Sequence, residues 1–153
     1  MRTIAPICSL LLLVLPALSH AQNTTPAPAA LPRTASPAGA TEYFIAPQNG
    51  AKVTSPFTVR FGLKGMGVAP AGVTNANTGH HHLLIDTKLP DLNKPIPSDF
   101  NHLHFGAGQT EAEITLTPGY HTLQLLLGDQ DHVPHNPPIM SKPIRVLVTR
   151  TGR

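Results

Sequence analysis

FTVRFGL, residues 57–63, sets Phe57, Val59, Phe61 and Leu63 against Thr58, Arg60 and Gly62. Successive side chains fall on opposite faces only in an extended chain, so the stretch reads as a strand with one buried face. The same period recurs on both sides of it. Residues 111–116 alternate, and 120–127 put His121, Leu123, Leu125 and Leu127 on one face. Shorter extended stretches are expected at 43–45, 80–86, 102–105 and 144–148. Between them lie turn formers: Pro47-Gln48-Asn49-Gly50, the prolines Pro90, Pro95 and Pro97, and Pro118-Gly119. Residues 65–79 read as one long loop. Six or seven short strands without a helical period predict an all-β, antiparallel immunoglobulin-like β-sandwich with no helix longer than about two turns.

Composition agrees. Among 153 residues there are 17 prolines and 12 glycines, and charged residues are 12% of the chain, roughly half the usual ~25%. A helical bundle is disfavoured. The cations Lys52, Arg60, Lys64, Lys88 and Lys94 are scattered singly, so the chain lacks the clustered charge of a nucleic-acid footprint.

Before the folding block, residues 1–21 read as a secretory signal peptide: Arg2, an apolar run at 10–18, and Ser19-His20-Ala21 before Gln22. The apolar run is too short for a spanning helix of ~20 residues, so no stable membrane anchor is expected after cleavage, and the periplasm is the expected location. The only cysteine, Cys8, leaves with this leader. Disulfides, thiolate metal sites and cysteine nucleophiles are thereby excluded together. Residues 22–40, QNTTPAPAALPRTASPAGA, carry almost nothing large to bury and are expected to form a flexible Pro/Ala-rich tether. The folded domain is expected at 41–150.

Histidine carries the chemical signal: nine in all, eight of them from His80 to His135. In GHHHLLID, residues 79–86, strand alternation groups His80, His82, Leu84 and Asp86 against His81, Leu83 and Ile85. In NHLHFG, residues 101–106, it groups His102 and His104 against Leu103 and Phe105. If the leucines, Ile85 and Phe105 are core, then His80, His82, His102 and His104 point outward on one surface. His132 and His135 follow in the loop GDQDHVPH, residues 128–135. These six, His80, His82, His102, His104, His132 and His135, are the candidate metal ligands. Imidazole without thiolate suits copper or zinc. Asp86, Asp129, Asp131 and Glu111 are available as ring-orienting acceptors or as oxygen ligands, and Met66 and Met140 are lesser candidates, read chiefly as packing residues. His81 and His121, on apolar faces, read as structural.

No nucleophile elbow, H-E-x-x-H helix or paired-carboxylate arrangement is present, so an enzyme is not expected. Two readings stay open. One is a metal-binding module of the cell envelope, with another envelope protein as its partner class. The other is a metal-free structural or interaction domain of the periplasm.

From Tyr43 to Val148 the chain resembles a bacterial exported family catalogued as domain of unknown function 4399. The resemblance rests on GMGVAPAG at 65–72, GHHHLLID at 79–86, HFGAGQTE at 104–111 and PGYHTLQLLLGDQDHVPH at 118–135. It implies export and a compact β-rich domain, and it implies no reaction.

Overall fold

The computed structural model describes residues 31–150, so the expected signal peptide and residues 22–30 lie outside it. The described residues contain no helix and nine strands: β1 (Thr41–Ala46), β2 (Lys52–Thr54), β3 (Phe57–Lys64), β4 (Gly67–Val68), β5 (Thr78–Ile85), β6 (His102–His104), β7 (Glu111–Ile114), β8 (Gly119–Gly128) and β9 (Ile144–Thr149). One sheet runs β1-β3-β7. The other runs β2-β9-β8-β5-β4, with β6 also paired to β5. With β1, β3 and β7 in the places of strands A, B and E, and β5, β8 and β9 in those of C, F and G, this is the immunoglobulin-like sandwich that the alternation predicts.

Alternation does the packing. FTVRFGL turns Phe57, Val59 and Phe61 inward from β3, and Phe44 joins them from β1. Leu83 and Ile85 of β5, Leu123 and Leu125 of β8, and Val146 and Val148 of β9 meet them from the second sheet. Fully burying one such side chain stabilises by about 1.5–3 kcal/mol, so this interface dominates the fold.

Three expectations need correction. The sandwich is not purely antiparallel, because β2 pairs parallel with β9 and β4 parallel with β5. Each is a two- or three-residue edge ladder too short to leave an alternating pattern. The long loop at 65–79 accordingly contains β4. The tether is the third case. Arg33, Thr34 and Ser36 are bonded to the loop after β8, with Asn136 N donating to Thr34 O at 2.9 Å and Ser36 N donating to Asn136 O at 3.1 Å. Hydrogen-bond donors hold this segment down, and apolar content, on which the expectation of flexibility rested, is not required.

The inner face holds one ionisable pair. Glu42 of β1 and His81 of β5 are both fully buried, and His81 Nδ1 lies 2.5 Å from Glu42 Oε1 beside the Phe61 ring. Burial pushes the Glu42 carboxyl well above its ordinary range and pulls His81 down to about 4. Both forms are therefore neutral, with the carboxyl O–H donating to the imidazole. Glu42→Gln keeps a donor of the same shape and should cost under about 1 kcal/mol, whereas Glu42→Ala leaves a cavity and an unpaired core nitrogen and should cost about 3 kcal/mol. Urea unfolding midpoints of the two variants check this; equal losses would show that the pair carries no weight.

Candidate metal centre

β5 has no solvent face. Its outer side, expected to be open, is roofed by loops: Leu84 and Leu126 pack with Ile96 from the Pro-rich connection, and Leu92 and Met140 close around them. Ile96 N donates to His132 O at 2.8 Å, which joins that connection to the loop after β8. His80 and His82 point outward as the pleat requires, yet both are fully buried.

Register decides which histidines they meet. His82 stands opposite His104 on β6 and opposite Leu126 on β8, while His80 stands opposite Gly128. The missing side chain at Gly128 leaves room for imidazole. A Cβ there would come 2.8 Å from His82 Cε1 and 3.4 Å from the His132 Cα, and one at Gly106 would overlap the His104 ring.

Four rings fill that space. His80 lies 4.8 Å from His82, 5.0 Å from His104 and 5.0 Å from His132, centroid to centroid. His104 lies 5.0 Å from His82 and 4.8 Å from His132, and His82 lies 6.1 Å from His132. One nitrogen from each of His80, His104 and His132 falls within a set no wider than 4.8 Å. Both nitrogens of His80, both of His82 and Nε2 of His104 are buried without a hydrogen-bond partner among the described residues. A tetrahedral ion with nitrogen ligands at about 2.0–2.1 Å holds them on the order of 3.4 Å apart.

The remaining candidates sit elsewhere. His102 is on the same face but opposite Leu84, one row away, and its Nδ1 lies 2.9 Å from Asp99 Oδ1. His135 is fully buried outside the cluster, its ring nitrogens unpartnered. Glu111 pairs with Arg60, and Asp86 with His121, so neither orients a ring of the cluster. Met140 accepts a long contact from Gln124 Nε2 at 3.8 Å and packs with Leu84 and Leu126. Met66 is half-buried in the turn between β3 and β4.

Asp129 works through the backbone. Its Oδ1 accepts from Asp131 N and Val133 N at 3.0 Å each, and its Oδ2 accepts from Thr34 Oγ1 at 2.7 Å. That turn holds His132 at φ 66°, left-handed and uncommon for a non-glycine residue. The sequence points to Asp129 as an acceptor for rings or an oxygen ligand, and carries no sign of the roles of Thr34, Gly106 and Gly128. An Asp followed by amides two and four residues on is the Asx-turn signal that identifies the first.

Burial and mutual repulsion favour the neutral form of His80, His82 and His104. His80 is lowered to about 4, first by burial, then by His132 and His104. His82 is lowered to about 2, first by burial, then by His80, His104 and His132. His104 is lowered in the same sense by burial and His132. The arrangement is a set of unprotonated imidazole lone pairs facing one another, the donor chemistry of a borderline transition-metal cation.

A family model described as a domain of unknown function, DUF4399, matches residues 59–149. The chain belongs to this DUF4399 family. The matched span includes all four clustered histidines and Asp129, while β1, β2 and Thr34 precede it. No curated protein matches the chain in sequence. Among solved structures, the fibronectin(III)-like modules of Clostridium thermocellum CbhA are similar at 14% identity and a TM-score of 0.38, covering 72% of this chain and 47% of that one. The DUF4399 domain is thus β-rich, with a histidine cluster able to hold a metal ion.

The lowered histidines set the acid stability of metal-free protein. Their folded pKa values lie below the ordinary 6.5, so the unfolded chain binds more protons and stability falls as pH drops from 6.5, levelling near 4 for His80 and His81 and near 2 for His82. Glu42, raised, opposes them with one proton above about 4.5. The lowered histidines, His80, His81, His82, His104 and His135, outnumber the one raised carboxyl, so the net effect is a loss of stability as pH falls below 6.5. His121 is raised, because the hydrogen bonds to Asp86 and Thr117 outweigh its burial; its contribution is complete below 6.5 and offsets nothing there. Urea midpoints between pH 7 and 4.5 in chelator should fall steeply, and a flat profile would contradict the buried, neutral cluster.

Proposed function

We propose that this domain binds a single transition-metal ion, copper or zinc, between His80, His82, His104 and His132, and that it buffers or delivers that ion in the cell envelope. The observation that carries the reading is the convergence of buried, unpartnered ring nitrogens. An unsatisfied buried polar group costs about 1–3 kcal/mol, so a cluster of them is expensive unless a ligand takes up the lone pairs.

The donor set narrows the ion. Four imidazole nitrogens without thiolate or carboxylate suit zinc, copper and nickel, and they disfavour calcium and magnesium, which need oxygen. A fully nitrogen-ligated ion leaves no position for an activated water, which favours binding and transfer over hydrolysis. His104 and His132 are only half-buried, whereas His80 and His82 lie beneath them, so the rim pair faces the side from which an ion is exchanged. The leader at residues 1–21 supports export, and the low charge is compatible with a periplasmic partner protein.

Untagged protein purified from the periplasm and stripped with chelator should take up one equivalent of zinc or copper by calorimetry. Its unfolding free energy should rise by about 2.7 kcal/mol at metal a hundredfold above Kd. His104→Ala and His132→Ala should each weaken binding at least about a hundredfold, and His102→Ala should leave it unchanged. Equal losses in all three, or no uptake by the wild type, would leave the metal-free structural reading.

A further inference from the structure

Residues 33–36 make a one-sided set of contacts. Arg33 Nε donates to Pro134 O at 2.9 Å, and its Nη2 donates to His135 O. Thr34 Oγ1 donates to Asp129 Oδ2 at 2.7 Å, and Thr34 O accepts from Asn136 N. Ser36 donates from its amide to Asn136 O and from its hydroxyl to Pro137 O at 2.9 Å. Every one of these bonds ends on Asp129 or on residues 134–137, the two flanks of the turn that carries His132.

The Thr34 bond has the most direct route to the site. Asp129 is buried, with 1% of its surface exposed. Its Oδ1 is already committed to the amides of Asp131 and Val133, and Thr34 supplies the partner of Oδ2. Remove Thr34 Oγ1 and a buried carboxylate oxygen loses its donor, so the carboxylate is free to rotate toward water. The two amides it holds would then loosen, and with them the left-handed turn that presents His132. The other three rings stand on β5 and β6 and have no such dependence.

We propose that residues 33–36 form a clasp over the ligand loop and that Thr34 and Asp129 are positioning residues for His132, setting how long the site retains its ion. The proposal rests on the metal-binding reading above. Three rings on strands supply the floor, and the fourth arm opens only when the clasp lets the turn move. The segment leading into the domain thereby controls release: whatever draws residues 33–36 away from the loop lowers retention without touching a ligand.

The test uses the full chain loaded with one equivalent of zinc and mixed with excess chromogenic chelator. Thr34→Ala should release zinc on the order of tenfold faster than wild type, and Thr34→Ser, which keeps the hydroxyl, should restore the wild-type rate. Asp129→Ala removes the acceptor of Thr34 together with that of the two amides, so it should release zinc at least as fast as Thr34→Ala, and adding Thr34→Ala to it should bring no further acceleration. Amide exchange at Asp131 and Val133 should quicken in Thr34→Ala while β5 and β8 amides keep their protection, which separates loosening of the turn from loss of the fold. Wild-type release rates in Thr34→Ala, or unchanged exchange at Val133, overturn the clasp alone. A wild-type protein that takes up no zinc overturns the metal-binding reading and the clasp with it.

Discussion

β5 is covered on both faces, and most of what is distinctive here follows from placing GHHHLLI in such a strand. The pleat sends His81 between the sheets and His80 and His82 to the outer side, so three consecutive imidazoles must be buried in two different environments. Each is costly unless its nitrogens are satisfied. At the inner one Glu42 answers Nδ1, and Nε2 has no partner among the described residues. The outer two have no partner among the described side chains except other histidines.

That contrast separates structural from functional histidines better than exposure does. His81, His102 and His121 each have a carboxyl group at the Nδ1 nitrogen, from Glu42, Asp99 and Asp86. Those rings act as hydrogen-bonding groups whose job is local. His80, His82, His104 and His132 have no carboxylate at a ring nitrogen, and they crowd to centroid separations that would repel if protonated. Imidazole nitrogens brought together without a carboxyl partner are a donor set.

The fold was largely legible in the sequence, because burial on one face writes a two-residue period, and 57–63 and 120–127 carry it clearly. The grouping of His80, His82 and His104 was legible for the same reason, since faces follow from alternation alone. Membership of His102 was not. It shares the face, but register puts it opposite Leu84, one row from the cluster, and register depends on pairing that a single strand does not encode. The roof was also hidden. Ile96, Leu92 and Met140 come from connections without a period, so the outer face of β5 read as solvent-facing. The parallel ladders at β2 and β4 escaped because two or three residues contain no period, and the docked segment at 33–36 because its hold is polar.

The asymmetry of the four-ring cluster has a physical consequence for how such a site can work. His80, His82 and His104 stand on paired strands, where backbone position is set by the ladder and, at Gly106 and Gly128, by contacts too tight for a Cβ. Strand-borne groups are the more precisely held. His132 comes from a turn in left-handed backbone, a conformation that persists only when its surroundings over-determine it. They do so through four hydrogen bonds: His132 N donates to Asp129 O, Asp129 N donates to Val133 O, and the Asp129 side chain takes two amides. Ile96 adds a fifth on the His132 carbonyl. A loop fixed by this many bonds before any ligand arrives has little ordering entropy left to lose, which strengthens binding. It also concentrates the site's freedom in one arm, because loosening a few hydrogen bonds there moves one ring while three stay in place.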